Sequence, residues 1–336
     1  MIRLAQIIHP EKGRRVAKVE GDRCLLIQGH TTVYGLAGAA IGSGGSLTAE
    51  VEKRLAGESL DYDAIYNGQS AWRLLPAFDH PEEPGRCLVS GTGLTHMASA
   101  RNRQAMHGGQ KGEAAPVTDS MRMYQWGVEG GRPEPGRVGA QPEWFYKGCG
   151  TVLRAHGEPL HVPSFAGDGG EEPEVAGAYI VDAEGRPRRV GLMIANEFSD
   201  HVMEKQNYLY LAPSKLRSCS VGPELIAGAS FGDVAGTVSI EREGKTVWSR
   251  AIATGEANMS HTLANLEHHL FKYEAHCRRG DAHVYFFGAD AFSFGEGVRL
   301  ENGDVMVVSW EGFGRPLRNP IRFSRAPDSF VRVDPL

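Results

Sequence analysis

The sequence has little of what disulfide frameworks, zinc sites and membrane spans require. Its 336 residues contain only five cysteines, an odd number without CxxC spacing, which indicates a reducing compartment. No apolar run approaches the roughly 18 residues that a membrane-spanning helix needs. The first fifteen residues, MIRLAQIIHPEKGRR, lack the apolar core of a signal peptide. We therefore expect a soluble, cytoplasmic protein without a membrane partner.

An excess of positive charge is also absent. Lysine and arginine together number 36 against 41 aspartates and glutamates, so the formal net charge is −5, and the isoelectric point lies near 6.2. This balance argues against nucleic acid as a partner. Glycine, by contrast, is abundant at 43 residues, which suits many turns and favours a β-rich fold.

Two glycine-rich stretches lack the residues that nucleotide-binding loops need. In residues 91–96, GTGLTH, His96 stands where a dinucleotide loop has its third glycine, and no clear helix signal follows. Residues 41–46, IGSGGS, lack the Gly-Lys-Ser/Thr ending of a phosphate loop. Both stretches are predicted to be turns.

A small antiparallel sheet is predicted at the N-terminus, followed by a helix. Three short apolar runs alternate there with turns: Ile2–Ile8, Arg15–Val19 and Cys24–Ile27. Residues 46–56 place Leu47, Val51 and Leu55 on one helical face.

A domain boundary is predicted at residues 79–86, DHPEEPGR, which are polar and contain proline. This divides the chain into a small N-terminal β domain, 1–85, and a larger domain, 86–336. In the larger domain, strands are predicted over 236–243, 246–254, Val284–Phe287 and Asp304–Trp310, and a helix with Ser260 as its N-cap and Leu263, Leu266, Leu270 and Tyr273 on one face.

Three glutamates are predicted to converge at the end of one β-hairpin. Glu172 and Glu174 lie two apart, and residues i and i+2 of a strand point to the same face. Two apolar runs with a turn-prone segment between them then lead to Glu197. A turn centred near Gly185 and Arg186 would put Glu197 opposite Glu174, with Cβ atoms roughly 5 Å apart.

Carboxylates this close raise one another's pKa unless a cation compensates them. Oxygen-only ligation favours a hard divalent ion, with Mg²⁺ first and Mn²⁺ or Ca²⁺ next. The alternative is that the three acidic side chains are solvated at the hairpin end. The spacing alone leaves both interpretations open.

The residues around and after this hairpin resemble a known metal-dependent family. The E-x-E pair, the hairpin, the sequence Asn196-Glu197-Phe198-Ser199 and a lysine some twenty residues on are similar to the metal site of the fumarylacetoacetate hydrolase superfamily. Residues 207–224, NYLYLAPSKLRSCSVGPE, resemble a segment of that superfamily's 2-keto-3-deoxy-aldonate dehydratases. The resemblance runs, with gaps, from about residue 86 to 320. It implies an α+β, mainly β fold, a mixed β-roll or barrel preceded by the small N-terminal β domain.

The resemblance assigns roles to single residues. It makes Glu172, Glu174 and Glu197 the metal ligands, although the third ligand is usually an aspartate. It makes Lys215 the active-site lysine. It makes His96 the catalytic histidine, for which the alternative is a structural role.

Three further positions matter for the substrate. Lys147, in Trp144-Phe-Tyr-Lys147, resembles the F-x-K entry to the superfamily's core and is expected to contact substrate, the alternative being an exposed lysine. Ala289 occupies the place of a threonine whose hydroxyl contacts substrate in relatives. Ser99 replaces a glutamate that some relatives have three residues after the histidine, so no fourth protein ligand is expected. Residues 108–142, rich in Gly and Pro, are expected to form a long loop and are a candidate lid.

The activity that the resemblance implies is a Mg²⁺-dependent lyase reaction. A 2-keto-3-deoxy sugar acid would chelate the ion and lose water through an enolate. Lys215 would stabilise that charge or act as the base, and His96 would transfer the second proton. The alternatives are hydrolysis of a C–C bond in a 2,4-diketo acid and a non-catalytic sugar-acid binding protein. A homodimer is the usual assembly of the superfamily.

Overall fold

The computed structural model of the chain describes residues 1–107 and 117–336. These residues form a mainly β protein with short helices, which confirms the predicted class. The strands are β1 (Ile2–His9), β2 (Gly13–Glu20), β3 (Arg23–Ile27), β4 (Leu55–Asp61), β5 (Arg73–Leu74), β6 (Cys87–Gly91), β7 (Phe145–Cys149), β8 (Leu153–Arg154), β9 (Leu160–Val162), β10 (Pro173–Val181), β11 (Pro187–Asn196), β12 (Cys219–Ala227), β13 (Val234–Arg242), β14 (Lys245–Thr254), β15 (Ala282–Phe286), β16 (Val305–Trp310) and β17 (Leu317–Phe323). The α-helices are α1 (Val33–Gly42), α2 (Leu47–Glu52), α3 (Tyr62–Tyr66), α4 (Met97–His107), α5 (Asp119–Gly130), α6 (His201–Gln206), α7 (Leu211–Lys215) and α8 (Leu263–Phe271). Short 3₁₀ helices lie at Pro84–Arg86, Gly150–Val152, Tyr208–Tyr210, Glu274–His276 and Ser293–Glu296.

The strands lie in two mixed sheets. The larger sheet has the order β4-β3-β2-β1-β12-β11-β10-β15-β6-β7, with β5 paired to β1 and β8 paired to β12. The smaller sheet has the order β14-β13-β16-β17-β9. The pairs β15–β6, β12–β8 and β17–β9 are parallel. In the described part of the chain, the first and last strands of each sheet do not pair with each other. Neither sheet therefore closes into a barrel, which was one of the two predicted forms, the other being an open β-roll.

The N-terminal strands belong to the larger sheet. The three predicted strands are present as β1, β2 and β3, and they pair antiparallel in sequence. The first of them also pairs with β12, where Leu4 lies opposite Leu225. The sheet is therefore continuous across residue 85, and the division into two domains stays a prediction.

Two apolar clusters pack on opposite faces of the central strands. Successive residues of a strand point to opposite faces, and β10 and β12 are buried along their whole length. One face packs against α1, and the other packs against the smaller sheet and α8. Each fully buried aliphatic or aromatic side chain contributes roughly 1.5–3 kcal/mol. The hairpin β10–β11 is thus held between two apolar clusters, apart from the exposed first residues of β11.

The register of this hairpin differs from the prediction. The turn covers Asp182–Arg186, where the Asp182 carboxylate accepts from the backbone N–H groups of Glu184 and Arg186 at 3.0 and 2.8 Å. The turn shifts the pairing by three residues from the prediction, and a bulge after Ala178 restores one of them. As a result Glu174 lies opposite Ala195 rather than Glu197.

Several helices also differ from the prediction. The helix predicted over 46–56 ends at Glu52, and Leu55 begins β4. The helix predicted from Ser260 has Thr262 as its N-cap and ends before Tyr273. A helix, α4, follows the turn at 91–96 although no signal for it was recognised. Within the candidate lid, α5 replaces part of the expected loop, and residues 108–116 lie outside the described part of the chain.

Two expected absences concern cysteines and membrane helices. All five cysteines lie in the described ranges and are free thiols. Among the helices of residues 1–107 and 117–336, none is long and apolar enough to cross a membrane.

Candidate metal centre

Three glutamate side chains converge at the open end of the β10–β11 hairpin. Glu172 immediately precedes β10, Glu174 lies on it, and Glu197 follows β11. One carboxylate oxygen of each lies within 4.8 Å of the others. The exposed fractions of the three residues are 8%, 1% and 0%. The structure therefore brings together the residues that strand alternation placed on one face.

Backbone hydrogen bonds extend the hairpin beyond its strands and fix this end. The N–H of Glu197 donates to the carbonyl of Glu172 at 3.0 Å, so these two residues lie opposite each other. The side-chain oxygen of Asn196 accepts from the N–H of Glu172 at 3.1 Å. One step further, Gly170 and Ser199 exchange two backbone hydrogen bonds. The glutamates thus stand on backbone with little freedom to move apart.

Lys215 reaches the cluster from the last residue of α7. Its Nζ donates to Oε1 of Glu172 and to Oε2 of Glu197, both at 2.6 Å, and to the Ser199 hydroxyl at 3.0 Å. The side chain has no exposed surface. A lysine is rarely buried unless its charge is paired, and here two carboxylates share it.

The segment that carries Lys215 is tied at both ends. Asp200 caps α6 by accepting from the N–H of Met203 at 2.8 Å. The same carboxylate pairs with Arg217 at 2.9 Å, and both side chains are buried. This pair joins the beginning of the segment to its end and places Lys215 over the hairpin.

Lys147, on β7, is buried beneath the cluster. It donates to Oε1 of Glu197, to the carbonyl of Phe198 at 2.9 Å and to the carbonyl of Lys215 at 2.8 Å. All three ammonium protons are therefore directed at protein atoms. The geometry fits a residue that positions Glu197 and Lys215, and the predicted contact with substrate stays a prediction.

The three carboxylates differ in their affinity for protons because their surroundings differ. Burial alone would raise the pKa of Glu172, but Lys215 and His201 outweigh burial and hold that pKa well below its usual range. Burial, together with the charges of Glu197 and Glu172, raises the pKa of Glu174 well above its usual range. Burial also raises the pKa of Glu197, against the two lysines.

The cluster suits a divalent cation on two grounds. Lys147, Lys215 and His201 all bond to Glu172 or Glu197, so Glu174 has no basic side chain paired with it in the described part of the chain. Burial, and after it the charges of Glu197 and Glu172, raise the pKa of Glu174, and a cation beside the carboxylate would oppose that rise. The donor set consists of carboxylate oxygens, which suits Mg²⁺, Mn²⁺ or Ca²⁺. We therefore take Glu172, Glu174 and Glu197 as the residues that would hold it.

His201 is a residue of the site that sequence reasoning missed. It opens α6, and its Nε2 lies 3.0 Å from Oε1 of Glu172. Its ring stacks on Phe292 with centroids 4.8 Å apart. A histidine that bonds to a ligating carboxylate orients it. The sequence signal that could have found His201 is its position four residues after Glu197 and directly after Asp200, the N-cap of α6.

A turn after β15 supports the carboxylate of Glu174. The N–H of Gly288 donates to Oε2 of Glu174 at 2.6 Å. The backbone of Gly288 has φ +96°, and a Cβ there would overlap the Thr95 hydroxyl. The next residue, Ala289, is buried and lines the cavity beside Glu172 and His201. Its methyl group offers that cavity no hydrogen bond.

His96 is buried near this turn but does not contact the glutamates. Its Nδ1 lies 3.0 Å from the Thr95 hydroxyl, which donates to the carbonyl of Phe287 at 2.8 Å. Its Nε2 has no hydrogen-bond partner among the described residues. Burial lowers the pKa of His96 to about 4, so the ring is neutral near pH 7. Proton transfer by His96 stays a prediction.

Another part of the cavity wall belongs to an ion-pair network that sequence reasoning missed. Arg103, on α4, pairs with Glu143 at 2.7 Å and with Glu204 of α6 at 2.6 Å. Arg103 and Glu204 line the cavity together with Glu172 and His201. The cavity volume is about 20 Å³, room for roughly one water molecule.

Comparison with known proteins gives structural neighbours only. No protein-family model matches the chain, and no curated protein matches it. A crystal structure of 2-keto-3-deoxyarabinonate dehydratase matches with a TM-score of 0.70 and 18% sequence identity, over 96% of this chain and 100% of that one. A 2-keto-3-deoxy-D-arabinonate dehydratase complexed with magnesium and 2,5-dioxopentanoate matches with a TM-score of 0.69 and 17% identity, over the same shares. A 2-hydroxyhepta-2,4-diene-1,7-dioate isomerase from Mycobacterium marinum matches with a TM-score of 0.59 and 16% identity, over 97% and 100%.

The chain therefore shares its fold with these dehydratases and this isomerase. The mainly β fold agrees with the one that the resemblance implies, apart from the closed barrel. At these identities the comparisons establish the fold alone, and the activity has to be argued from the site.

Proposed function

We propose that the protein is a Mg²⁺-dependent dehydratase of 2-keto-3-deoxy sugar acids. The observation that carries the proposal is the buried convergence of Glu172, Glu174 and Glu197 with Lys215 donating to two of them. The fold it shares with a dehydratase complexed with magnesium and 2,5-dioxopentanoate supports the same reaction. The chemistry is loss of water between C3 and C4 of the acid, followed by tautomerisation to a 2,5-dioxo acid when the substrate has five carbons.

The residues of this chain divide the task. A divalent ion held by the three glutamates would polarise the 2-oxo group of the substrate as a Lewis acid. Lys215 places an ammonium group beside the negative charge that develops when the C3 proton leaves. Lys147 and His201 keep Glu197 and Glu172 in place, because each donates to one of these carboxylates. Burial of the whole cluster keeps bulk water away from it.

The surroundings of His96 favour dehydration over hydrolysis. Ser99 stands where hydrolytic relatives carry a glutamate, and its hydroxyl donates to the carbonyl of His96 at 3.0 Å. The ring of His96 bonds to a hydroxyl, that of Thr95, and to no carboxylate in the described part of the chain. A water molecule that attacks a ketone needs a general base, and a carboxylate beside a histidine orients the ring for that role. Loss of water instead needs a group that takes the C3 proton and returns one to the departing hydroxyl, and the neutral ring of His96, whose Nε2 has no partner in the described part of the chain, would do both.

The test follows products by mass. The protein is incubated with Mg²⁺ and either 2-keto-3-deoxy-pentonates or 2,4-diketo acids, with EDTA-treated protein as the control. The proposal predicts loss of 18 mass units from a deoxy acid without fragmentation, and no reaction in EDTA. Pyruvate and a second acid from the diketo substrate, with the deoxy acids untouched, would assign the protein to the hydrolases instead.

A further inference from the structure

The cavity beside the metal centre is bounded on one side by a shared cation. The guanidinium of Arg103 lies between the carboxylates of Glu143 and Glu204, with nitrogen–oxygen distances of 2.7 and 2.6 Å. The side chains of Arg103, Glu143 and Glu204 are 13%, 9% and 5% exposed. One positive charge therefore faces two carboxylates in a region nearly closed to solvent, where charges act strongly on one another.

One oxygen of this network has no donor. Oε2 of Glu143 is buried and has no hydrogen-bond partner among the described residues. It lies against Gly93, a residue that lines the cavity, and a Cβ at Gly93 would overlap it. A buried carboxylate oxygen without a donor costs free energy. The wall thus has an unused acceptor and no unpaired cation.

A substrate anchored at the metal centre must meet this wall. The cavity holds about 20 Å³, and the same cavity is lined by Glu172 at one side and by Arg103 and Glu204 at another. A five-carbon acid whose C1 and C2 oxygens are at the metal centre fills far more than this volume. A longer substrate would therefore need α4 or its side chains to move aside, and Arg103 and Glu204 are the charged residues of the cavity lining that its C5 end would then meet.

We propose that Arg103, Glu143 and Glu204 set substrate specificity by accepting an uncharged, hydroxyl-bearing end and rejecting a second carboxylate. A hydroxyl at the C5 end could donate to the unpartnered oxygen of Glu143, which lies directly beside the cavity-lining Gly93. A carboxylate finds a guanidinium already taken by two carboxylates, and like charges at short distance in a buried site repel. The inference rests on the proposed function, because it takes the 2-oxo acid end of the substrate to lie at the metal centre.

The test compares three inert five-carbon ligands that differ only at C5. These are 2-oxopentanoate, with a methyl group, 5-hydroxy-2-oxopentanoate, with a hydroxyl group and its concentration corrected for the open-chain fraction, and 2-oxoglutarate, with a carboxylate. Their affinities for the Mg²⁺-loaded full chain are measured by calorimetry. We expect the hydroxy acid to bind most tightly and 2-oxoglutarate to bind at least about tenfold more weakly than 2-oxopentanoate.

Conservative variants test whether Glu143 and Glu204 cause the weaker binding of 2-oxoglutarate. Glu204→Gln and Glu143→Gln each remove one negative charge with little change in shape, and each is expected to raise the affinity for 2-oxoglutarate relative to 2-oxopentanoate by about tenfold. Glu50→Gln is the matched control, since Glu50 is also a buried glutamate paired with an arginine, Arg54, at 2.6 Å but lies on α2. It should leave the ratio unchanged.

The outcomes separate this inference from the proposed function. Binding of 2-oxoglutarate as tight as that of 2-oxopentanoate overturns the inference and leaves binding of 2-oxo acids intact. Wild-type discrimination that neither glutamine variant relaxes overturns the assignment to this wall. Absence of binding by all three acids overturns the proposed function and the inference with it.

Discussion

Lys215 is the lysine that donates to two of the three glutamates. Its ammonium group bonds to two carboxylates in a site without solvent, and although burial alone would lower the pKa of Lys215, the charges of Glu172 and Glu197 outweigh it and raise that pKa. The group therefore keeps its positive charge near pH 7. Removing a buried partner of a charge is costly, about 3–5 kcal/mol.

We predict that Lys215→Met lowers kcat by about 10²–10³, the effect of losing one preorganised group at developing charge. It should also lower the thermal stability of metal-free protein, because Glu172 and Glu197 lose their shared cation. Added Mg²⁺ should restore part of that stability, which a thermal melt with and without the ion measures. Lys205→Met, at an exposed lysine of α6, is the control. A fully active Lys215→Met protein would show that the segment 207–224 has been matched wrongly.

The two buried histidines near the site are expected to differ in what they affect. His201→Asn removes the ring that bonds to Glu172, so Mg²⁺ affinity should fall about 10–100-fold, the usual effect of losing such a partner. His96→Asn should lower kcat and leave Mg²⁺ affinity unchanged, because His96 does not contact the cluster. Calorimetric titration with Mg²⁺ and steady-state kinetics on both variants check this. Equal kcat for His96→Asn and wild type would return His96 to a structural role.

For single residues, the sequence predicted those site positions that follow from spacing along the chain. The alternation of Glu172 and Glu174 and the position of Glu197 after a second apolar run were enough to place three carboxylates together. The pairing partner was wrong because the Asp182 turn and the bulge after Ala178 shift the register by two residues. Arg103 could not be predicted at the site, since its partners come from distant parts of the chain and only the folded backbone brings them near.

Among the elements, the turn between β15 and the 3₁₀ helix Ser293–Glu296 has the most direct effect on the site. Gly288 has φ +96°, and its N–H supports Glu174. A non-glycine residue in the left-handed region costs about 1–2 kcal/mol. At Gly288 a Cβ would in addition overlap Thr95 and push the donor away from Glu174.

Gly288→Ala is therefore predicted to destabilise the protein by more than backbone strain alone and to weaken Mg²⁺ binding. Gly297→Ala is the matched control, because Gly297 has φ +79° and no atom within 4 Å of its added Cβ. It should lose only the strain energy and bind Mg²⁺ normally. Denaturant unfolding and Mg²⁺ titration of the two variants make the comparison. Equal losses in both would mean that the Gly288 turn does not support the site.

Two helices show why element prediction was incomplete. Residues 33–42, VYGLAGAAIG, have three glycines and no charged residue, so no polar face marks α1 as a helix, yet Leu36 and Ala37 pack in the main core. Residues 119–130 contain two glycines, but Thr118 caps α5, and Gly127 leaves room for Ser260 and His261. In both cases tertiary packing outweighs low intrinsic helix propensity.

For the whole molecule, buried neutral histidines link stability to pH. Burial lowers the pKa of His283, on β15, to about 4, and its ring faces His276 and Phe271 at centroid distances of 5.9 and 5.2 Å. The electrostatic interaction with the neighbouring His276 lowers the pKa of His283 further, and that with Asp281 opposes it. An unfolded histidine has a pKa near 6.5. Because the folded pKa is the lower one, this histidine contributes stability above about pH 6.5 and loses it as pH falls toward 4.

His283→Leu should remove this dependence while keeping a side chain of similar size in the core. The stability of the variant relative to wild type should therefore rise by about 1.4 kcal/mol per pH unit as pH falls below 6. Urea unfolding at pH 8, 6 and 5 measures the difference between the two proteins, which cancels the other titrating groups. A difference independent of pH would show that His283 has the same pKa in the folded and unfolded states, so that burial does not lower it.

The most direct test of the central claim is a calorimetric titration of EDTA-stripped protein with Mg²⁺. The account predicts one ion per chain, and loss of binding in Glu174→Gln and Glu197→Gln. Glu171→Gln is the control, because Glu171 is an equally buried neighbour whose carboxylate bonds to Ser293 rather than to the cluster. It should bind one ion as wild type does. No Mg²⁺ or Mn²⁺ binding by the wild-type chain, or binding that survives in Glu174→Gln, would contradict the account.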